Sequence, residues 1–324
     1  MNKNIINILN NYEVVLENVN NNNNSFLKIP IYIINLNTNY LRRGYIKYIT
    51  KRLGLNYTLV IVNPVLDNIK DSICCKTKNG IIGCFLSHLW CIKHAISNKF
   101  EHFLILEDDI VFHKNFEILF KKLNYKQYDM IQLGCSDFNL KKNVSKNIIT
   151  KDLQVYNPTY IALGAFGNIY NINFAKIIYE EKINNFKEFD TTFDMYYNKY
   201  NIGICLPNLV ITELSTSNLG HEFSLFKDDC SNNYFKKSCY IDISYDKYYL
   251  LWIIFIELCY DYFKENGKNA LTFSDYFSLI DNFSSKYMTN CELIKNTLMN
   301  NEIYFYDIME IFTILETDIY MDIN

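Results

Sequence analysis

Apolar positions along this chain alternate between strand-like runs and helical repeats up to about residue 225, and turn helical throughout from about residue 240. Lys28 to Leu36 (KIPIYIINL) is rich in β-branched residues and has Pro30 at its start, which predicts a strand. Polar Asn37-Thr38-Asn39 then leads into a helical pattern from Tyr40 to about Leu53, and Tyr57 to Val62 predicts a second strand. Gly80 and Gly83 punctuate the entry to a further helix, in which Phe85, Leu89, Ile92 and Ile96 recur at helical spacing. Phe103-Leu104-Ile105-Leu106 is an unbroken apolar run, the pattern of a strand covered on both faces. Beyond it the pattern predicts a helix over Phe116 to Leu123 and a short strand over Asp129 to Gly134. It then predicts a strand with small residues over Tyr160 to Tyr170, a helix over Asn173 to Glu181, and a strand over Ile202 to Ile211 containing Pro207. Strands that alternate with helices in this way point to an α/β fold.

The flanks read differently. Met1 to Ser25 ends in the tract Asn20 to Asn24, which predicts a loose leader with a short helix somewhere between Ile5 and Val19. Cys135 to Asp152 is polar and rich in Lys and Asn, the composition of a loop. The C-terminal part shows helical segments near 246–264, 273–286, 290–299 and 302–316. The expected division is a leader at 1–25, an α/β domain at 26–235 and a helical extension at 240–324.

Composition narrows the class. Of the 324 residues, 49% are hydrophobic and 16% aromatic, enough for a large core. A net charge of −3 advertises no basic face, which argues against nucleic acid as the main partner. The ten cysteines form no CxxC pair and sit mostly in apolar surroundings, so they read as reduced thiols with no zinc site. No charged start, apolar core and small-residue cleavage site open the chain, so no secretory signal is expected. The apolar run Tyr248 to Phe263 is short for a membrane span and carries Glu257 and Asp261. No transmembrane segment is expected; peripheral membrane contact is the remaining option. The expected setting is cytoplasmic, or the host cytoplasm or virion if the source is a virus.

The chemistry concentrates where the apolar run ends. Glu107, Asp108 and Asp109 follow it directly and give way to Ile110-Val111-Phe112. Three adjacent acids between core-type residues repel one another and resist desolvation, and a divalent cation such as Mn²⁺ or Mg²⁺ would relieve both. A solvated acidic turn is the plainer alternative. In open α/β sheets the carboxyl end of a strand is also where ligands bind. Arg42 and Arg43, just after the first strand, have the fork geometry for a diphosphate, against the alternative of solvated helix charges. Ser87 and His88 fall in the first turns of a helix, where an anion is favoured; alone, His88 reads more as a core or capping residue than as a catalytic one.

The order of these pieces resembles glycosyltransferase family 25. The pieces are Ile33-Ile34-Asn35-Leu36 with Arg42-Arg43, then Gly83-Cys84-Phe85-Leu86-Ser87-His88, Leu104 to Ile110 and Asp129 to Gly134. Gly164, Asp194, Pro207 and Ser217-Asn218 match more weakly, and the resemblance spans roughly residues 28 to 225. The chain departs from the family at Asn37, where an acid is usual, at Ile81, where Glu is usual, and at Ser217-Asn218 in place of Ser-Asp.

The resemblance implies a GT-A-like (Rossmann-like) nucleotide-sugar-binding sheet and an inverting transfer of galactose or glucose from a UDP-sugar donor. The acceptor would be a hydroxyl of a glycan, a lipid-linked saccharide or a protein. It implies Glu107 and Asp109 as metal ligands with His221 completing the shell, and Asp108 as a ligand or donor contact. Arg42 and Arg43 would hold the diphosphate, Ser87 and His88 would line the donor pocket, and Asp194 would be the base, with a helix cap or a substrate hydroxyl contact as its alternative role. Two other readings remain: a non-catalytic glycan- or protein-binding relative, and a nucleotidyltransferase. The latter wants a Gly-rich phosphate loop, and Asn35 to Arg43 contains no glycine.

Overall fold

The computed structural model describes residues 3–73, 77–135, 152–159 and 162–212, and near the C-terminus 259–262, 265–266, 272, 274–276, 278–279, 310–311 and 313–314. The chain begins with α1 (Lys3–Asn10), β1 (Val14–Val19), β2 (Ile31–Leu36), α2 (Tyr40–Leu53) and β3 (Tyr57–Val62). Then come α3 (Asp67–Ile73), α4 (Asn79–Ser97), β4 (His102–Glu107), β5 (Ile110–Phe112) and α5 (Phe116–Phe120). The remainder comprises β6 (Met130–Gln132), β7 (Gln154–Tyr156), β8 (Gly167–Asn171), α6 (Ile172–Lys182), β9 (Ile202–Leu206) and β10 (Val210–Thr212).

Eight strands form one mixed sheet in the order β1-β3-β2-β4-β8-β6-β9-β7. Its left half is Rossmann-like, with β2 parallel to both β3 and β4. From β8 onward the directions mix, because β8 runs antiparallel to β4 and to β6 while β6 and β9 are parallel. β4 therefore lies inside the sheet, and its residues Phe103 to Leu106 are fully buried, as an unbroken apolar run requires. Alternation along β4 feeds two cores. Phe103 and Ile105 pack with α4 and α6, while Leu104 and Leu106 pack with the Tyr45, Ile46 and Tyr48 face of α2. By length and composition α4 could cross a membrane, but Ile82, Phe85, Leu86, Leu89 and Ile92 are buried in this second layer, which accounts for its apolarity.

Three expectations change. The N-terminal segment is no loose leader: Ile5 and Leu9 are buried, and β1 extends the sheet by pairing antiparallel with β3 from Val14↔Val62 to Val19↔Tyr57. β1 lies at the sheet's edge with β3 as its one partner, and its Val15 and Leu16 side chains are exposed. The run Ile202 to Ile211 is two strands, β9 and β10, broken at Pro207, with β10 leaving the main sheet to pair with β5. The helical extension cannot be separated from the domain where it is described. Tyr260, Tyr276 and Ile311 are buried in the α2 core, and Tyr40 and Tyr260 meet with ring centroids 5.4 Å apart. Most of the extension, and nearly all of the Cys135 to Asp152 loop, lies outside the described residues.

Gly134 marks where β10 crosses the end of β6. A Cβ there would sit 1.9 Å from the Val210 carbonyl oxygen and 2.9 Å from the Phe166 ring. Gly134→Ala should push the β5–β10 pair off the sheet and destabilise the protein by about 1–3 kcal/mol, in the range of other overpacking substitutions; urea denaturation measures it.

Candidate active site

The carboxyl end of β4 solves the problem of three adjacent acids by sending them in different directions. Alternation carried past the strand's last residue puts Glu107 on the α4 face and Asp108 on the α2 face. Asp108 is nearly sealed from solvent and clamped. Asn35 Nδ2 donates to its Oδ2 at 2.7 Å, and Arg42 Nη1 lies 3.3 Å from its Oδ1. Arg42 also reaches Asp109 Oδ2 at 3.4 Å, so one guanidinium serves two carboxylates. Arg43 is buried and donates from Nε to Asn35 Oδ1 at 2.9 Å and from Nη2 to the Asn37 carbonyl at 2.9 Å. Burial pushes the Asp108 carboxyl above the usual range, with Arg42 and Asn35 opposing that rise.

On the other face, His88 Nε2 lies 2.9 Å from Glu107 Oε1 and the Cys84 thiol lies 3.7 Å from the same oxygen. Cys84 and His88 are four residues apart on α4, hence on one helix face. The imidazole is fully buried and stacks on Phe189, with ring centroids 4.7 Å apart. Burial pushes the Cys84 thiol well up, and the nearby charges of Glu107, Asp190 and Asp109 push the same way.

Two loops close over this end of the sheet. The 162–166 segment is held by buried amides. Gln132 Nε2 donates to the Ala162 carbonyl at 2.9 Å, and Asn168 Nδ2 donates to the Gly164 and Ala165 carbonyls at 3.2 and 3.1 Å. Gly164 sits at φ +147°, a conformation that favours glycine. Its N–H donates to Asp190 Oδ2 at 2.8 Å, tying the segment to the turn after α6. Burial raises the Asp190 carboxyl, the Gly164 N–H opposes this, and the charge of Glu107 adds to the rise. That turn is organised by Lys182, which is fully buried. Its ammonium donates to Thr192 Oγ1 at 2.6 Å and to the Glu188 carbonyl at 3.2 Å, and lies 5.5 Å from the Phe189 ring centre.

The structure thus gathers Arg42, Arg43, His88, Glu107, Asp108 and Asp109 around one strand end. Arg43 is engaged inside the fold, where it orients Asn35. Ser87 is buried, with its hydroxyl bonded to the Gly83 carbonyl at 2.7 Å and paired with Tyr12 at 3.2 Å, so it joins α4 to the N-terminal segment. Asp194 is exposed in a 3-10 turn at Phe193–Tyr196. In this segment the carboxylate that feels the charge of Glu107 is Asp190, four residues earlier. His221 lies outside the described residues. Sequence reading passed over Asn35, Cys84, Lys182 and Asp190. The Cys-x₃-His spacing was the available signal for Cys84, whereas nothing in the pattern separates Asp190 from Asp194 or Lys182 from the other lysines.

Compared with known families, residues 28–161 match the model described as Glycosyltransferase family 25 (LPS biosynthesis protein). That segment carries the family's signature. The match covers less than half of the chain and suggests glycosyltransfer as the general class of activity. The family 25 match runs from just before β2 to just past β7, so Asp190 and Lys182 fall beyond it. No curated protein matches the chain. Among solved structures, the one titled Crystal Structure of A197 from STIV is 14% identical, with 54% of this chain and 81% of that one covered. Its TM-score of 0.29 is too low for the likeness to carry any argument.

Arg42→Met would leave Asp108 buried without its cation and Asp109 without its guanidinium neighbour. A loss of about 3–5 kcal/mol in denaturant unfolding is expected. Burial lowers the Lys182 ammonium from 10.5 to about 8. The folded chain therefore binds that proton less tightly than the unfolded chain, and the contribution of Lys182 to stability should rise between about pH 8 and 10.5. Unfolding free energies across that window should show this rise in the wild type and lose it in Lys182→Met.

Proposed function

We propose that this chain is a metal-dependent, inverting glycosyltransferase of GT-A-like architecture. It moves a hexose, galactose or glucose, from a UDP-sugar to a hydroxyl of a glycan, a lipid-linked saccharide or a protein. One observation carries the reading. At the carboxyl end of an interior strand, Asp108 is locked into the sheet while Glu107 and Asp109 keep 28% and 16% of their side-chain surface open. Two such carboxylates offer the hard oxygen donors that suit Mn²⁺ or Mg²⁺, so the residues fit the ion that the family implies. When bound, the ion would supply positive charge to the leaving diphosphate.

The chain's own groups divide the remaining work. Asn35, Arg42 and Arg43 fix the backbone turn that aims Glu107 and Asp109. His88 and Cys84 hold the Glu107 carboxylate from below. Asp190 is the base in this reading, in place of Asp194. It is half-buried, held by the Gly164 N–H and electrostatically coupled to Glu107. In an inverting displacement this carboxylate takes the acceptor hydroxyl proton as the sugar moves across.

Arg42, 3.4 Å from Asp109, favours a second reading in which an internal guanidinium replaces the ion. Thermal shift with UDP and a panel of UDP-sugars, with and without Mn²⁺, separates the two, because binding raises stability by mass action. The proposal expects Mn²⁺-dependent stabilisation by UDP, lost in Asp109→Asn. Stabilisation that ignores Mn²⁺ supports the guanidinium reading, and none with any nucleotide, together with no donor hydrolysis, leaves a non-catalytic relative. Asp190→Asn should retain UDP binding and lower transfer roughly 10²–10⁴-fold. An equal loss of binding would make it a donor contact instead.

A further inference from the structure

We propose that Cys84, His88 and Glu107 form a second cation site, selective for a borderline-soft divalent ion of the Zn²⁺ class. The ligand atoms are already assembled. Cys84 Sγ, His88 Nε2 and Glu107 Oε1 all lie within 4.8 Å of one another, with Nε2 to Oε1 at 2.9 Å and Sγ to Oε1 at 3.7 Å. Tetrahedral zinc with bonds of roughly 2.0–2.3 Å separates its ligand atoms by roughly 3.3–3.6 Å. The thiol and carboxylate therefore stand close to the required spacing. The imidazole and carboxylate need to open by a few tenths of an ångström, and the thiol and imidazole, which lie within 4.8 Å, need to close by up to about an ångström. Two ligands come from one rigid helix at a four-residue spacing and the third from a strand end, so little ordering remains to be done on binding. Glu107 retains some solvent exposure, which gives an entry path and a fourth position for water.

Ligand type sets the selectivity. Thiolate and imidazole favour Zn²⁺, whereas Mn²⁺ and Mg²⁺ prefer oxygen donors. The surroundings favour a cation as well, since the charges of Asp109 and Asp190 reach the thiol. Binding displaces the proton of the Cys84 thiol to solvent. With the ion on Nε2, the ring N–H sits on Nδ1, an atom that has no hydrogen-bond partner among the described residues. The site stands without the transferase reading, but its consequence rests on it. An ion held here takes Glu107 away from the nucleotide-bearing opening, so Zn²⁺ would inhibit the Mn²⁺-supported reaction.

Cd²⁺, titrated into the full chain, is a direct probe through its thiolate charge-transfer absorbance. The expected result is one saturable thiolate band that Mn²⁺ does not produce. Cys84→Ser should remove that band and weaken Cd²⁺ binding roughly 100-fold or more, and His88→Gln should keep the band while weakening binding roughly 10- to 100-fold. The absence of a saturable band, or a band and affinity unchanged in Cys84→Ser, would overturn the proposal; the unchanged case would place the ion on another cysteine. Circular dichroism checks that each variant folds, and His88→Gln keeps the question answerable if Cys84→Ser does not. Mn²⁺-dependent UDP binding, followed in parallel, reports on the transferase reading separately.

Discussion

Three carboxylates in a row at the end of a buried strand must be compensated, and the structure around β4 is arranged to do so. In a low-dielectric setting the repulsion among them and the lost hydration are each expensive. The strand's alternation removes part of the repulsion by placing Glu107 and Asp108 on opposite faces. The remainder falls to Arg42, which serves Asp108 and Asp109 together, and to the Asn35 amide, itself oriented by Arg43. These partners come from β2 and α2, the first strand-and-helix unit of the sheet. The acidic end of β4 is thus held by the neighbouring strand and the helix that follows it.

Arg42 shows why the site and the core cannot be treated separately. It projects from a helix whose other residues, Tyr45, Ile46 and Tyr48, pack beneath β4. The same helix makes ring contact with Tyr260 and an ion pair from Lys51 to Glu310, so described parts of the C-terminal region lean on the element that carries the cation. The charges are aligned by hydrophobic packing several residues away.

Much of this was legible in the sequence. β3 has the bounds its pattern predicts, and β2, α2, α4, β4 and α6 follow closely, because each combines a strong period with clear punctuation. The acids, paired arginines and Cys-x₃-His helix were visible as residue types in the order of family 25. Partner choice was not visible. Whether Arg42 turns toward a ligand or toward Asp108 depends on the approach of α2 to β4, which no local pattern encodes. Asp190 was overlooked for a related reason: its carboxylate is held by one backbone N–H at Gly164, and backbone donors leave no trace in composition. β1 was missed because its short apolar run, Val14 to Leu16, lies in a stretch bounded by asparagines, which reads as a loop.

The stacking of Phe189 on His88 has a mechanical consequence. Lys182 anchors the turn after α6, the Phe189 ring sets the plane of the imidazole, and the imidazole fixes one Glu107 oxygen. A displacement of that turn is thereby transmitted through two flat rings to the acidic tip. The turn after α6 and the acidic end of β4 are geared together.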